Sequence, residues 1–149
     1  MNSLAELFSG SNFQRTIRNY CSEFEWKITD INDHQAILKF DTDTGRTQTL
    51  YIIKYESTLE FSVPSELEFN ETDDIPHYLS TVLLKCSSER KIGFWCLEEI
   101  GEKQVYSHMH NAELELIDVD YFGKVIRALV NECDRFEESL ANLLSHNRI

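Results

Sequence analysis

Two histidines one residue apart, His108-x-His110, come nearest in this chain to a spacing that could do chemistry. On a β-strand, alternation turns both imidazoles to one face, a spacing that metal sites use. A metal site needs a third and a fourth ligand, and no other Cys or His pair has ligand spacing. The pair therefore reads as two solvated side chains on an edge strand, and no metal is expected. Asp41-x-Asp43-x-Gly45 resembles the start of a calcium loop, but the full pattern wants glycine one place later and glutamate at the twelfth position, here Ile52. Asp and Gly are what a hairpin turn requires in any case. The five glycines, at 10, 45, 93, 101 and 123, form no cluster, so neither a P-loop nor a dinucleotide fingerprint exists, and no serine sits in a G-x-S-x-G elbow. The acid pairs Glu98-Glu99 and Glu137-Glu138 are adjacent, which points them apart on a strand or helix, and they read as solvated charges. No catalytic residue and no cofactor is expected, and the chain is not read as an enzyme.

Composition narrows the partners. Twenty-six acidic residues against 14 basic ones give a formal charge of −12, which repels phosphate backbones and anionic lipid. A nucleic-acid partner is excluded and a basic or neutral protein partner favoured. The chain's 149 residues suit one domain over 1–149, burying roughly 70% of the unfolded surface. Cys21, Cys86, Cys96 and Cys133 are widely spaced without a C-x-x-C pair, which reads as reduced thiols and a cytoplasmic address. No apolar run approaches the roughly 18 residues that span a bilayer, and no basic segment leads into an apolar run at the N-terminus, so neither membrane insertion nor export is expected.

The elements that must position these side chains follow from periodicity. Capping-box starts occur at Ser3 with Glu6 and at Ser11 with Gln14, separated by Gly10 as a stop. The second leads into the helical stripe Phe13, Ile17, Tyr20, Cys21, Phe24. Strands are expected at Trp26 to Thr29, Ala36 to Phe40, Thr47 to Tyr55 and Leu59 to Val63, with turns at Asn32-Asp33 and at 41–45. Leu59, Phe61 and Val63 alternate with Glu60 and Ser62, the pattern of a half-buried antiparallel strand whose second face is wet or covered by something polar. Asp73-Asp74-Ile75-Pro76 opens a helix through Leu79, Val82, Leu83 and Cys86, closed by Ser87-Ser88. A hairpin, Ile92 to Ile100 and Gln104 to His110, turns at Gly101-Glu102 as a Gly-first turn. The order is helix, antiparallel strands, helix, β-hairpin, long C-terminal helix, an α+β sandwich.

The last helix carries an unbroken 4-3-4-3 apolar stripe, Val119, Phe122, Ile126, Leu129, Cys133, Phe136, Leu140, Leu143, with Asp118 as its cap. From Val119 to Ser145 it runs about 40 Å at 1.5 Å per residue. A strand of five to six residues spans only about 17–20 Å. The end carrying Phe136, Leu140 and Leu143 therefore overhangs the sheet and needs a second surface, either the Ser3 to Phe8 segment or the same helix of another subunit, and a homodimer is expected. In Phe94-Trp95-Cys96 one of the two aromatic rings must leave the helix-covered core. It is either covered by a second layer such as the first helix or free as an apolar docking surface.

Trp26-x-Ile28, Asn32-Asp33, Ala36-Ile37-Leu38-Lys39-Phe40, Gly45-Arg46-Thr47-Gln48-Thr49 and Asp134-Arg135-Phe136-Glu137 resemble the YbjN-type bacterial proteins, which are similar in fold to type III secretion chaperones. The resemblance covers most of the chain. It implies a single YbjN or secretion chaperone-like domain, commonly a small acidic cytosolic homodimer, and supplies no catalytic residues. The expected function is a non-enzymatic protein-binding or chaperone-like module acting through an apolar surface, with Phe94, Trp95, Phe136, Leu140 and Leu143 as candidate protein-binding residues. The alternatives are a small-ligand-binding or enzymatic helix-grip-like domain, which predicts His108, His110 and acids around an internal cavity, and a regulatory subunit docking onto a larger assembly.

Overall fold

The computed structural model describes residues 10–146, and the expected cap at Ser3 and the Ser3 to Phe8 segment lie outside them. Helix α1 spans Gly10–Glu23, which places Gly10 within a helix. Strands β1 (Ile28–Ile31), β2 (Gln35–Asp41), β3 (Thr47–Tyr55) and β4 (Thr58–Phe69) follow. A 3-10 turn at Thr72–Asp74 leads into helix α2 (His77–Glu89), then strands β5 (Phe94–Ile100) and β6 (Lys103–Glu113) and helix α3 (Val119–His146). The architecture is α+β: one antiparallel six-stranded sheet, order β1-β2-β3-β4-β6-β5, with the helices against it.

Alternation along the strands sorts the side chains into two layers. One face gives Ala36, Leu38, Leu50, Ile52, Leu59, Phe61 and Val63, all fully buried. These pack in one cluster with Phe13, Ile17 and Cys21 of α1, Leu79 and Leu83 of α2, and Phe122, Val125, Ile126, Leu129 and Cys133 of α3. The stripe of α3 thus lies over the sheet as its 3.6-residue period demands. Asp118 caps α3, its carboxylate accepting the Tyr121 N–H at 2.8 Å. Past Phe136 the stripe emerges: Leu140 is half-buried and Leu143 is 61% exposed.

Three local details differ from expectation. At the β5–β6 tip both Gly101 (φ 57°) and Glu102 (φ 66°) are left-handed, the pattern of a type I′ turn rather than one needing only a leading glycine. Strand β4 does not stop at Val63 but continues to Phe69 through a register shift against β6 between Pro64 and Glu68. Proline has no N–H for the ladder, so an interior strand tolerates it only at such an irregularity. Finally, β6 is an interior strand and His108 is fully buried, which corrects the solvated edge-strand pair: β5 forms the edge instead.

Candidate functional site

The register shift in β4 has a chemical consequence. Strand β3 pairs β4 only from Tyr51 to Tyr55, so the first half of β3 and the second half of β4 separate. Backbone groups in the gap need other partners. The Glu66 N–H donates to Glu137 Oε1 of α3 at 3.0 Å, and Ser65 Oγ donates to the Tyr106 carbonyl at 2.6 Å while accepting the Leu67 N–H at 3.1 Å. Glu137 is buried, which overturns its reading as a solvated charge, and the physical reason is this unpaired strand amide.

Around Glu137 a polar network ties the β2–β3 hairpin to α3. Gln48, 2% exposed, donates from Nε2 to Glu137 Oε2 (2.9 Å) and Asp134 Oδ1 (3.2 Å). Thr42 and Thr44 hydroxyls donate to the Asp134 carboxylate at 2.9–3.0 Å. Arg46 pairs with Glu138 and lies 3.9 Å from Glu137. Burial alone would raise the Asp134 pKa, but the hydrogen bonds from Thr42, Thr44 and Gln48, with the charge of Arg46, outweigh it and hold the carboxyl below its ordinary range. Burial and then the Glu137 carboxylate drive the Cys133 thiol well above its ordinary pKa, so it is an inert apolar group. The segments 45–49 and 134–137, far apart in sequence, thus meet in one place.

The histidines do not act as a pair. His108 sits beneath Trp95 (ring centroids 5.0 Å), and burial lowers its pKa to about 4, against the pull of the Glu132 carboxylate. Among the described residues its ring nitrogens make no hydrogen bond of standard geometry, though the Leu129 backbone, like Glu132, favours its charged form. His110 is fixed differently: the Gly93 N–H donates to Nδ1 at 3.2 Å, which leaves the proton on Nε2, 2.7 Å from the Tyr121 hydroxyl. Gly93 is required there, with φ at +87° and room for no Cβ against the His108 ring and Leu129. Among the described residues no group of three or more His, Cys, Asp or Glu is placed to hold a metal ion.

The five candidate protein-binding residues do not share one surface. Trp95 is 4% exposed and packs on Phe136 with ring centroids 5.0 Å apart, inside the helix layer. Phe94, one residue earlier, faces the opposite side of the sheet at 38% exposure, and no second layer among the described residues covers it. Leu140 and Leu143 lie at the far end of α3. Sequence reasoning found α2 but missed its outer face. This helix buries only Leu79 and Leu83, and leaves Tyr78, Val82 and Leu84 in solvent. Apolar residues all around a helix were the available signal, since such a helix is normally covered on every side. Leu84 and Leu97 flank a hollow of about 130 Å³ between α2 and the edge strand β5, floored by Leu83, Trp95 and Tyr106.

This architecture has a solved counterpart. The chain is similar in structure to one in the HopA1–SchA chaperone–effector complex. The TM-score is 0.62 at 14% identity, over 93% of this chain and 99% of that one. The likeness shows the fold, the type III secretion chaperone-like sandwich that the sequence leads one to expect. No protein-family model and no curated protein sequence matches the chain.

Proposed function

We propose that this chain is a non-enzymatic, chaperone-like protein-binding module of the YbjN type, one domain over 1–149, working in the cytoplasm as a homodimer. The observation that carries the reading is the surface between α2 and β5. There Leu84, 66% exposed, and Leu97 lie beside an edge strand whose outer N–H and C=O groups face away from the sheet. An apolar hollow against an open strand edge suits an extended protein segment, with main-chain hydrogen bonds supplying affinity and the hollow supplying selectivity. Phe94 extends this surface around the edge. The fold shared with a chain of a chaperone–effector complex gives the reading independent support. The meeting of Arg46 and Gln48 with Asp134 and Glu137 supports the YbjN type, because these residues lie in the segments that carry that resemblance.

The cytoplasmic address rests on four cysteines that are all free thiols, and no helix among the described residues is long and apolar enough to cross a membrane. Dimerisation is assigned to the emergent end of α3, where Leu140, Leu143 and Leu144 offer an apolar strip. A photo-crosslinking amino acid placed at Leu84, at Leu97 and, as a control, at exposed Arg18 tests the partner surface in growing cells. Protein adducts at the first two positions and not at the third are the expected outcome; equal yields at all three overturn the reading. Light scattering after size exclusion should report a dimer, and Leu143→Asp with Leu144→Asp a monomer.

A further inference from the structure

The face of the sheet that carries no helix among the described residues holds a trough of about 460 Å³ that neither the α2 surface nor the polar network uses. Its floor is apolar: Val105 is 5% exposed, and Tyr51, Ile53 and Ile100 stand around it. Its walls are acidic, with Glu60, Glu98 and Glu68 lining it. Lys103 engages Glu68 at 3.2 Å from the rim. Among the described residues, Glu60 and Glu98 have no Lys or Arg within ion-pair distance, the nearest polar contact being the Ser62 hydroxyl, 3.5 Å from Glu98. Two carboxylates are thus held close on an apolar surface without a counter-charge. Burial and then the nearby Glu98 keep the Glu60 carboxyl above its ordinary range, the response expected of an acid that lacks a cation.

The dimensions identify the occupant. The lining residues run from Gln35 on β2 to Ile100 on β5, across five adjacent strands. At about 4.8 Å per strand spacing this is roughly 19 Å, the reach of an extended segment of about six residues. Strands β3, β4 and β6 each lie between two neighbours in the sheet, so strand addition cannot hold an occupant on this face. Side chains must do so, apolar ones on the floor and cationic ones on the walls. We propose that the trough binds a basic segment of a partner polypeptide, seating apolar side chains on Ile53, Ile100 and Val105 and lysine or arginine on Glu60 and Glu98. The proposal rests on the protein-binding reading above and adds to it a second contact, on the other face of the sheet.

A fluorescein-labelled peptide of about twelve residues, repeating Lys-Leu-Arg-Ser, is the probe, read by anisotropy against the full chain. Saturable binding is expected, weakened about tenfold or more by Glu60→Gln with Glu98→Gln and by raising salt, because surface charge pairs are screened. Replacing exposed Glu23 and Glu25 by Gln should leave it unchanged. The Glu60/Glu98 variant loses only a like-charge contact, so it should melt no lower than the parent, which separates lost binding from lost folding. Equal affinity for the parent and the Glu60/Glu98 variant overturns the proposal, as does spermine competing as well as an unlabelled copy of the peptide. Crosslinks persisting at Leu84 and Leu97 alongside that failure would leave the general protein-binding reading standing, whereas their loss would remove both.

Discussion

The same six strands present two different surfaces. On the helix side, the middles of β3 and β4 are sealed: Leu50, Ile52, Leu59, Phe61 and Val63 have no exposed surface. On the other side, their neighbours Tyr51, Ile53, Glu60 and Ser62 form an open trough with acidic walls. Alternation makes the two faces equally accessible to the chain, so the difference lies in what each was given to meet. The helix side meets the packed faces of three helices of its own chain. The open side keeps apolar side chains beside unpaired carboxylates, a combination that suits contact with something else.

Substitutions that treat the faces as equals should fail unequally. Phe122→Ala removes a fully buried ring that packs on Tyr20 and Phe61, and should cost about 3–5 kcal/mol by chemical denaturation. Phe94→Ala on the open face should cost less than about 1 kcal/mol, and an equal loss at both would break the contrast.

Acid should next act on the helix side. His108 in the unfolded chain takes a proton near pH 6.5, but in the folded protein only near pH 4. Between those values the unfolded state binds more protons, so stability rises with pH; it is fully present above about 6.5 and is lost as the pH falls toward 4, by roughly 2–3 kcal/mol. His108→Leu should flatten that part of the profile. His110, whose pKa burial also lowers, contributes with the same sign. Asp134 runs beneath both: its folded pKa is depressed, so its contribution disappears only as the pH falls below its unfolded value of 3.8. A melting-temperature series from pH 7 to pH 3 on parent and variant separates the terms.

The smallest effect concerns the two acid pairs. Glu137→Ala strands the Glu66 N–H and the Gln48 amide and should cost about 1–3 kcal/mol. Glu99→Ala, on the exposed edge strand, should change stability by less than about 0.5 kcal/mol. Matched urea titrations of the two variants check it.

That last contrast also marks what the sequence could convey. Elements set by local signals were legible: β3 runs from Thr47 to Tyr55 and α3 starts at Val119 behind its Asp118 cap, as read. The α+β sandwich followed from element order, and its secretion chaperone-like character from the family resemblance. The candidate site was legible only in fragments. Glu137 and Glu138 look like any solvated acid pair, because the groups that bury Glu137 are a backbone amide of β4 and a glutamine of β3, about seventy and ninety residues away. His108 resembled an edge residue because strand order, which sandwiches β6 between β4 and β5, is a tertiary property. The outer face of α2 escaped notice for the opposite reason. Its apolar residues fit a helix so readily that their surplus went uncounted.

The partners of the β2–β3 turn impose an order on synthesis. Thr42 waits for Asp134, and Arg46 for Glu138, each 92 residues downstream. At roughly 5–20 residues per second, a ribosome delivers those carboxylates about 5–20 s after the hairpin has emerged. For that interval Gln48 and Arg46 have only water to bind, and the gap between β3 and β4 stands unplugged. The nascent chain therefore passes through a stage in which its sheet can assemble but cannot yet lock, and the arrival of Asp134 to Glu138 ends it.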